Sequence, residues 1–223
     1  YNVVVGDEAG TAITTGDNNV AVGYAALLVN TTGGDNVAVG INALDANTEG
    51  VSNNGLGAFS LTANTTGDNN VAVGRAALAA NTTADNNTAV GNNALVTNTT
   101  GTQNTAVGGT ALDANTTANY GTAVGYGSLG ANTTGTENSA VGRSSLLANT
   151  TGGKNVAFGS GALAGNTTAS NNTGLGWASL FTNTTGASNT AVGMSALLAP
   201  HPTIQPLGIR LGIVILQVQI TWH

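Results

Sequence analysis

The chain has 223 residues and a formal net charge of −6, and only 6% of its residues are charged. Ten carboxylates against four basic residues leave no basic patch for nucleic acid and predict a weakly acidic surface. The absence of cysteine excludes disulfides and thiolate metal sites. No apolar run reaches the ~18 residues that a membrane helix needs. We therefore expect no nucleic-acid partner and no membrane insertion in this segment.

Residues 1–199 are built from a single repeat of 17 residues, close to T-G-x-N-N-T-A-V-G-x-x-A-L-x-A-N-T. A unit this short cannot bury its own apolar side chains, so each repeat is predicted to be one rung of a stack. The chain begins within a repeat, without a methionine or a signal peptide, as expected of a processed chain or a fragment. We number the twelve rungs by their glycines, the glycine column: Gly6, Gly23, Gly40, Gly57, Gly74, Gly91, Gly108, Gly125, Gly142, Gly159, Gly176 and Gly193.

Two aliphatic columns are predicted to form the core. The residue three after the glycine is always Ala or Ser, which indicates a place too tight for larger side chains. Because neighbouring side chains of a strand face opposite ways, placing Val22 inside the coil places Ala21 outside it. We interpret that outward column of alanines as a contact with other copies of the chain. The valine column, one residue before the glycine, is Val5, Val22, Val39, Leu56, Val73, Val90, Val107, Val124, Val141, Phe158, Leu175 and Val192. The leucine column, four residues after it, is Leu27, Leu44, Leu61, Leu78, Leu95, Leu112, Leu129, Leu146, Leu163, Leu180 and Leu197. The alanine column, two residues before it, is Val4, Ala21, Ala38, Gly55, Ala72, Ala89, Ala106, Ala123, Ala140, Ala157, Gly174 and Ala191.

Polar positions recur as strictly as the apolar ones. Asparagine stands four residues before the glycine in eleven of twelve rungs, with Gly121 as the exception, and an Asn-Thr pair follows the glycine by seven and eight residues. Asparagine favours turns, and identical amides stacked about 4.8 Å apart form hydrogen-bonded ladders. The repeat predicts a short strand over N-x-A-V-G, a corner at the glycine, a second short strand near A-L-x-x-N and a turn at N-T-T-G. The variable positions one, two and five after the glycine are predicted to be exposed.

The predicted fold is an all-β parallel β-solenoid, or β-roll, of twelve 17-residue coils over residues 1–199. A helix competes locally, because A-A-L-L-V is helical in isolation. A glycine and an N-T-T-G turn in each repeat leave room for no more than about two helical turns. At the spacing of strands in a sheet, twelve rungs make a rod of roughly 55–60 Å.

Three phrases carry a resemblance to known repeats: DNNVAVGYAAL (17–27), GTAVGYGSL (121–129) and NTTGASNTAVGMSAL (183–197). They resemble the head repeats of YadA-like trimeric autotransporter adhesins, and still more the N-T-A-V-G-Y-x-A-L repeats of phage tail-fibre-like proteins. The resemblance implies a left-handed parallel β-roll, three chains about one axis, and exposure outside a cell or virion. The adhesin heads use a shorter repeat, so the rung geometry and the trimer do not transfer automatically.

The tail, residues 200–223, breaks the repeat and holds all three prolines and both histidines. When the tail is read across codon boundaries, its degenerate codons permit a further copy of the repeat. We therefore hypothesise a frameshifted repeat, which the source DNA would test. Alternation of apolar and polar residues from Ile215 onward is also typical of a capping strand, or of an inter-subunit strand added to a neighbouring chain's edge.

No catalytic residues, metal ligands or cofactor-binding residues are predicted. His201 and His223 both lie in the tail, without a serine and a carboxylate placed to form a triad. The G-D-N-N turns at Asp17 and Asp68 are similar to calcium-binding repeat loops. Uncharged residues such as Gly34 and Thr102 fill the same column, which disfavours a repeated calcium site.

Asn-Thr-Thr triplets satisfy the acceptor rule for N-glycosylation, although ladders closing a turn explain their regularity without a glycan. Ice binding is an alternative function, because ranks of Thr at the strand spacing match a lattice, and Asn30 and Thr32 are expected to share one face. The candidate glycosylation sites are Asn30, Asn64, Asn81, Asn98, Asn115, Asn132, Asn149, Asn166 and Asn183.

These observations together predict a non-enzymatic, extracellular or surface-exposed rod, as in an adhesin head, a tail fibre or a surface filament. Its expected partners are further copies of itself, as a homotrimer or a head-to-tail filament, and a ligand on a host surface or in the extracellular matrix. Repetition along the rod would supply avidity.

Overall fold

A computed structural model describes residues 1–198 as one continuous coil. Its twelve strands form a single parallel sheet in chain order, and each strand pairs with the strand one repeat away, as Val22 does with Val39. The tail and its histidines lie outside the described residues. The prediction of an all-β parallel solenoid with 17-residue coils is confirmed. The strands are β1 Val3–Val5, β2 Val20–Val22, β3 Val37–Val39, β4 Asn54–Leu56, β5 Val71–Val73, β6 Thr88–Val90, β7 Thr105–Val107, β8 Thr122–Val124, β9 Ser139–Val141, β10 Val156–Phe158, β11 Thr173–Leu175 and β12 Thr190–Val192.

The strands face the opposite way from the sequence-based prediction. Ala21 is fully buried and Val39 is 37% exposed, so the alanine column lies inside the coil and the valine column outside it. The interior of each coil is narrow, because the leucine side chain and an Ala or Ser three residues after the glycine already occupy it. Only a methyl group or a hydrogen fits beside them. The leucine column was correctly assigned to the core, whereas the assignment of the valine column was wrong.

The second predicted strand is absent from the described rungs. Its place is taken by a series of turns in which Ala25 and Leu27 have φ of 53° and 52°. A residue in the left-handed conformation costs roughly 1–2 kcal/mol. Here this conformation lets alternate backbone N–H groups point to the preceding rung and to the next rung. Ala25 donates to Asp7 O of the preceding rung at 3.0 Å, and Leu27 donates to Ala43 O of the next rung at 3.1 Å. The turns are thus bonded to the rungs on both sides.

The described residues contain strands and turns and no helix, so none of their segments has the long apolar helical form that crosses a bilayer.

Candidate functional site

The outer surface of the sheet is uniform over all twelve described rungs. Each strand presents two outward side chains, those of the valine column and those of the column two residues earlier. Neither column contains a charged residue in any of the twelve rungs. We call these two columns the sheet face. The earlier column is Val3, Val20, Val37, Asn54, Val71, Thr88, Thr105, Thr122, Ser139, Val156, Thr173 and Thr190.

The sheet face leaves large apolar side chains in contact with solvent. Val107 is 37% exposed, Phe158 59% and Val192 64%. Side chains in each column are about 4.8 Å apart along the rod and the two columns are roughly 7 Å apart. Because successive strands pair in strict register, this surface forms a regular array. The outward apolar column is therefore the valine column, whereas the sequence analysis had placed the alanine column there.

The candidate glycosylation sites lie inside the coil. Asn98 donates from Nδ2 to Gly101 O at 2.9 Å and to Asn81 Oδ1 at 3.1 Å, and accepts from Asn115 Nδ2 at 2.7 Å. Eight of the nine are buried, and Asn183 in the last described turn is half-buried. A glycan on such an amide is incompatible with the folded coil, since it would remove a donor and fill the interior. The nine asparagines of the triplets and Asn47 therefore form a structural ladder, which we call the first ladder: Asn30, Asn47, Asn64, Asn81, Asn98, Asn115, Asn132, Asn149, Asn166 and Asn183.

Burial of Asn30 also separates it from Thr32, which is exposed. The two residues do not share a face, contrary to the expectation from their spacing. Thr31 is instead turned along the rod, where its Oγ1 donates to Thr48 O of the next rung at 3.0 Å. The exposed residues of this turn form a single column of Thr, which includes Thr32 and is interrupted by Glu49.

A second ladder runs along the asparagines four residues before the glycine. Asn87 accepts the N–H of Asn104 at 3.0 Å and donates to Gly101 O at 2.9 Å. Gly121 interrupts this ladder. Its N–H still donates to Asn104 Oδ1 at 2.8 Å, but it offers no side-chain oxygen to the next rung.

Replacing Gly121 with asparagine should restore the second ladder and stabilise the protein. Hydrogen bonds add about 0.5–1.5 kcal/mol each, and removing a glycine adds roughly 0.4–1 kcal/mol through the unfolded chain. We expect a gain of about 1–2 kcal/mol in the free energy of unfolding, measured by urea denaturation. Gly121→Ala is the matched control, because it lacks the amide. Equal stability of the two variants would contradict a ladder at this position.

The acidic turn residues bind backbone groups of neighbouring rungs. Asp68 Oδ1 accepts the N–H of Val51 at 2.7 Å, and Asp85 Oδ1 accepts the N–H of Asp68 at 2.7 Å. Asp17 lies beside the N-terminal amine at 3.1 Å. Across residues 1–198, no three His, Cys, Asp or Glu side chains converge in a way that could hold a metal ion.

The turn side of rungs 7 to 9 contains a groove of about 540 Å³. Glycines replace side chains at two of its variable positions, Gly127 and Gly130. A methyl group added to Gly109 would lie 3.4 Å from Cδ2 of Tyr126, so the tyrosine ring rests on this glycine. A methyl group added to Gly130 would lie 3.4 Å from Asp113 Oδ1. The carboxylate and the aromatic ring therefore border the same depression, which we call the groove.

Asp113 differs from Asp45, the aspartate in the same column of rung 3. The Asp45 carboxylate accepts from Asn42 Nδ2 at 3.1 Å and from Thr62 Oγ1 at 2.6 Å. The corresponding positions around Asp113 are Thr110 and Gly130, and the donors that face its carboxylate are backbone N–H groups. Burial raises the pKa of Asp113 above its ordinary value of 3.8, although those backbone groups act in the opposite direction.

Because the pKa of Asp113 is raised in the folded state, its contribution to the free energy of unfolding should depend on pH. The folded state favours the protonated carboxyl, so its stabilising contribution is present below 3.8 and is lost as the pH rises through the raised pKa. Asp113→Asn should therefore gain stability relative to the wild type across that window. Melting temperatures of both proteins, measured from below pH 3.8 to neutrality, test this; a difference that does not change with pH would contradict it.

No protein-family model, no curated protein and no solved structure matches the chain.

Proposed function

We propose that this chain is a non-enzymatic extracellular rod, a segment of an adhesin head, a tail fibre or a surface filament, that works as a self-associated assembly. The observation that carries the proposal is the sheet face, which is free of charged side chains in every rung. Solvent-facing strand positions ordinarily acquire Lys, Glu or other polar residues. An apolar column kept over the whole rod is typical of a surface that is covered.

The occupant that best fits the sheet face is another copy of the chain. The valine column of the face is apolar over roughly 55 Å, and a continuous exposed apolar surface of this length is typical of an interaction site. It repeats every rung, so identical copies in register present the same side chains at each level. We place three sheet faces around a common axis, the arrangement that the resemblance to trimeric adhesins suggests, with the turns outward.

Charges on the sheet face should prevent association. In the double variant Val107→Lys and Val124→Lys, two adjacent rungs would each bring an unpaired ammonium into the interface, which is costly without a partner. We expect the wild type to sediment as a trimer and the variant as a monomer. The matched control is Thr100→Lys, in the exposed Thr column, where Glu49 already shows that a charge is accommodated.

A wild-type protein that sediments as a monomer at all accessible concentrations would contradict the proposed assembly. So would a double variant that remains a folded trimer. Circular dichroism of the variants separates loss of association from loss of folding.

The adhesive role follows from the residues left outward in such an assembly. Tyr24, Arg75, Tyr126, Arg143 and Trp177 occupy one exposed column at fixed levels of the rod. A stiff rod holds these side chains at constant spacing, and three chains multiply each of them, so weak individual contacts with a host-surface or matrix ligand add up to avidity.

Ice binding is the second candidate function. It is favoured by the regular array of the sheet face, in which Thr and Val stand side by side in four of the rungs, as in Thr105 and Val107. The column of exposed Thr that includes Thr32 offers a second regular rank. Thermal hysteresis of a dilute solution distinguishes this candidate. A clear activity that Val107→Lys abolishes would favour ice binding over the adhesive rod.

A further inference from the structure

We propose that the groove of rungs 7 to 9 binds a neutral saccharide. This inference deepens the proposed adhesive function by naming a ligand class, and it concerns the turn side of the coil, not the sheet face. The groove is a shallow depression open to solvent, with a volume of about 540 Å³ that can hold a ligand of the size of a sugar ring. What distinguishes the place is the combination of a cleared surface, a carboxylate and an aromatic ring.

The cleared surface is specific to these rungs. Rung 2 has the same exposed tyrosine, Tyr24, but Ala25 and Leu28 occupy the positions of Gly127 and Gly130. Gly130 does not have a positive φ, so its backbone does not require glycine. A larger side chain at this position is accommodated in other rungs, and its absence opens the groove.

The carboxylate supplies a strong acceptor. Asp113 lacks the amide and hydroxyl donors that its counterpart Asp45 receives. A partly buried carboxylate without side-chain donors is ready to accept hydroxyl groups in charge-assisted hydrogen bonds. The hydroxyls of Thr110 and Ser144 line the same groove and can donate or accept.

The ring supplies the apolar half of a saccharide site. Tyr126 is 64% exposed, and its edge rests on Gly109 beside the groove. The C–H groups on one face of a pyranose pack on an aromatic ring while its hydroxyls reach polar groups at the edge. The residues that line the groove include one carboxylate, that of Asp113, and no basic residue. The carboxylate disfavours an anion, and the hydroxyl and apolar groups around it supply no second charge for a cation, so the lining favours a neutral ligand.

The test uses the full chain and the methyl glycosides of glucose, galactose, mannose and N-acetylglucosamine, titrated by saturation-transfer NMR. We expect saturable binding of at least one of them. Gly130→Thr copies Thr62 and places a hydroxyl against Asp113, so it should weaken binding by about tenfold or more, as expected for loss of a charge-assisted hydrogen bond. Tyr126→Ala and Asp113→Asn should weaken it similarly. Tyr24→Ala is the matched control and should leave binding unchanged.

Absence of saturable binding by every glycoside would overturn the inference. Binding that Gly130→Thr, Tyr126→Ala and Asp113→Asn leave intact, or that Tyr24→Ala abolishes, would overturn it as well. Asp113→Asn preserves shape and provides the decisive comparison if another variant is unstable. Sedimentation of the wild type tests the proposed self-association independently. A failure of the saccharide proposal can therefore be distinguished from a failure of the proposed function.

Discussion

Gly108→Ala is expected to disrupt the stack around rung 7 and to lower the free energy of unfolding by about 4 kcal/mol. Gly108 has φ of +136°, a region that side chains rarely adopt, which costs about 1–3 kcal/mol. An added Cβ would lie 2.6 Å from Gly125 O and 2.7 Å from its carbonyl carbon. Overlap of this kind costs roughly another 1–3 kcal/mol, and backbone atoms cannot rotate away as a side chain can. Urea denaturation followed by far-ultraviolet circular dichroism measures the change.

The adjacent glycine provides the control for this prediction. At Gly109 an added methyl group would meet Tyr126 Cδ2 at 3.4 Å and Asn92 O at 3.9 Å, both ordinary contacts. Ala58 already occupies the same place in rung 4. Gly109→Ala should therefore change stability by no more than about 0.5 kcal/mol. If Gly108→Ala and Gly109→Ala lowered the free energy of unfolding by similar amounts, the close approach of rungs at the glycine column would not explain the effect of Gly108→Ala.

The stack itself was predictable because the period is strict. Identical residues 17 positions apart can satisfy one another only if they lie on adjacent rungs, and the observed pairing of Val22 with Val39 follows. The Asn ladders were predictable for the same reason. A buried amide needs partners, and the same amide one rung away supplies them.

The sequence analysis did not predict which side chains of each strand point into the coil, although the sequence contained relevant information. Apolar size alone favours burying valine over alanine, and that argument ignores the space available. Phe158 and Leu175 replace valine in the valine column, whereas the alanine column never holds anything larger than valine. An interior filled by one leucine per rung has no place for phenylalanine. Variation toward large residues thus marks the outer side, and invariant small size marks the inner one.

The turns and the groove lay beyond sequence-based prediction for different reasons. Leucine disfavours the left-handed region, so nothing in its residue type predicts φ of 52° at Leu27; hydrogen bonds to both neighbouring rungs impose it. The groove depends on two glycines of rung 8. In the sequence Gly127 and Gly130 are simply members of variable columns, and only the packed rungs show that Asp113 and Tyr126 border the space they leave.

The largest loss of stability from a side-chain deletion is expected inside the first ladder. Asn98→Ala removes the donor to Asn81 Oδ1 and Gly101 O and the acceptor of Asn115 Nδ2. Gly101 O keeps the donor Asn87 Nδ2, so the buried groups left without a partner are Asn81 Oδ1 and one N–H of the Asn115 amide. Each costs about 1–3 kcal/mol, so a total near 4 kcal/mol is expected. Because each rung contacts only its neighbours, this weak point should also divide the rod into two separately unfolding blocks.

Replacing the same residue with aspartate distinguishes the ladder from simple packing. Asn98→Asp keeps the shape, but its ionised carboxyl would face Asn81 Oδ1 and Gly101 O without a proton to donate. Burial and these oxygens raise the folded-state pKa of the introduced carboxyl, so stability should return as the pH falls through it. Asn92→Ala, at an exposed position, is the control and should cost no more than about 0.5 kcal/mol. Urea denaturation at several pH values measures all three variants. A single cooperative transition for Asn98→Ala at wild-type stability would show that the amide ladder does not join the rungs, and with it the stiffness required of an adhesive rod would lose its physical basis.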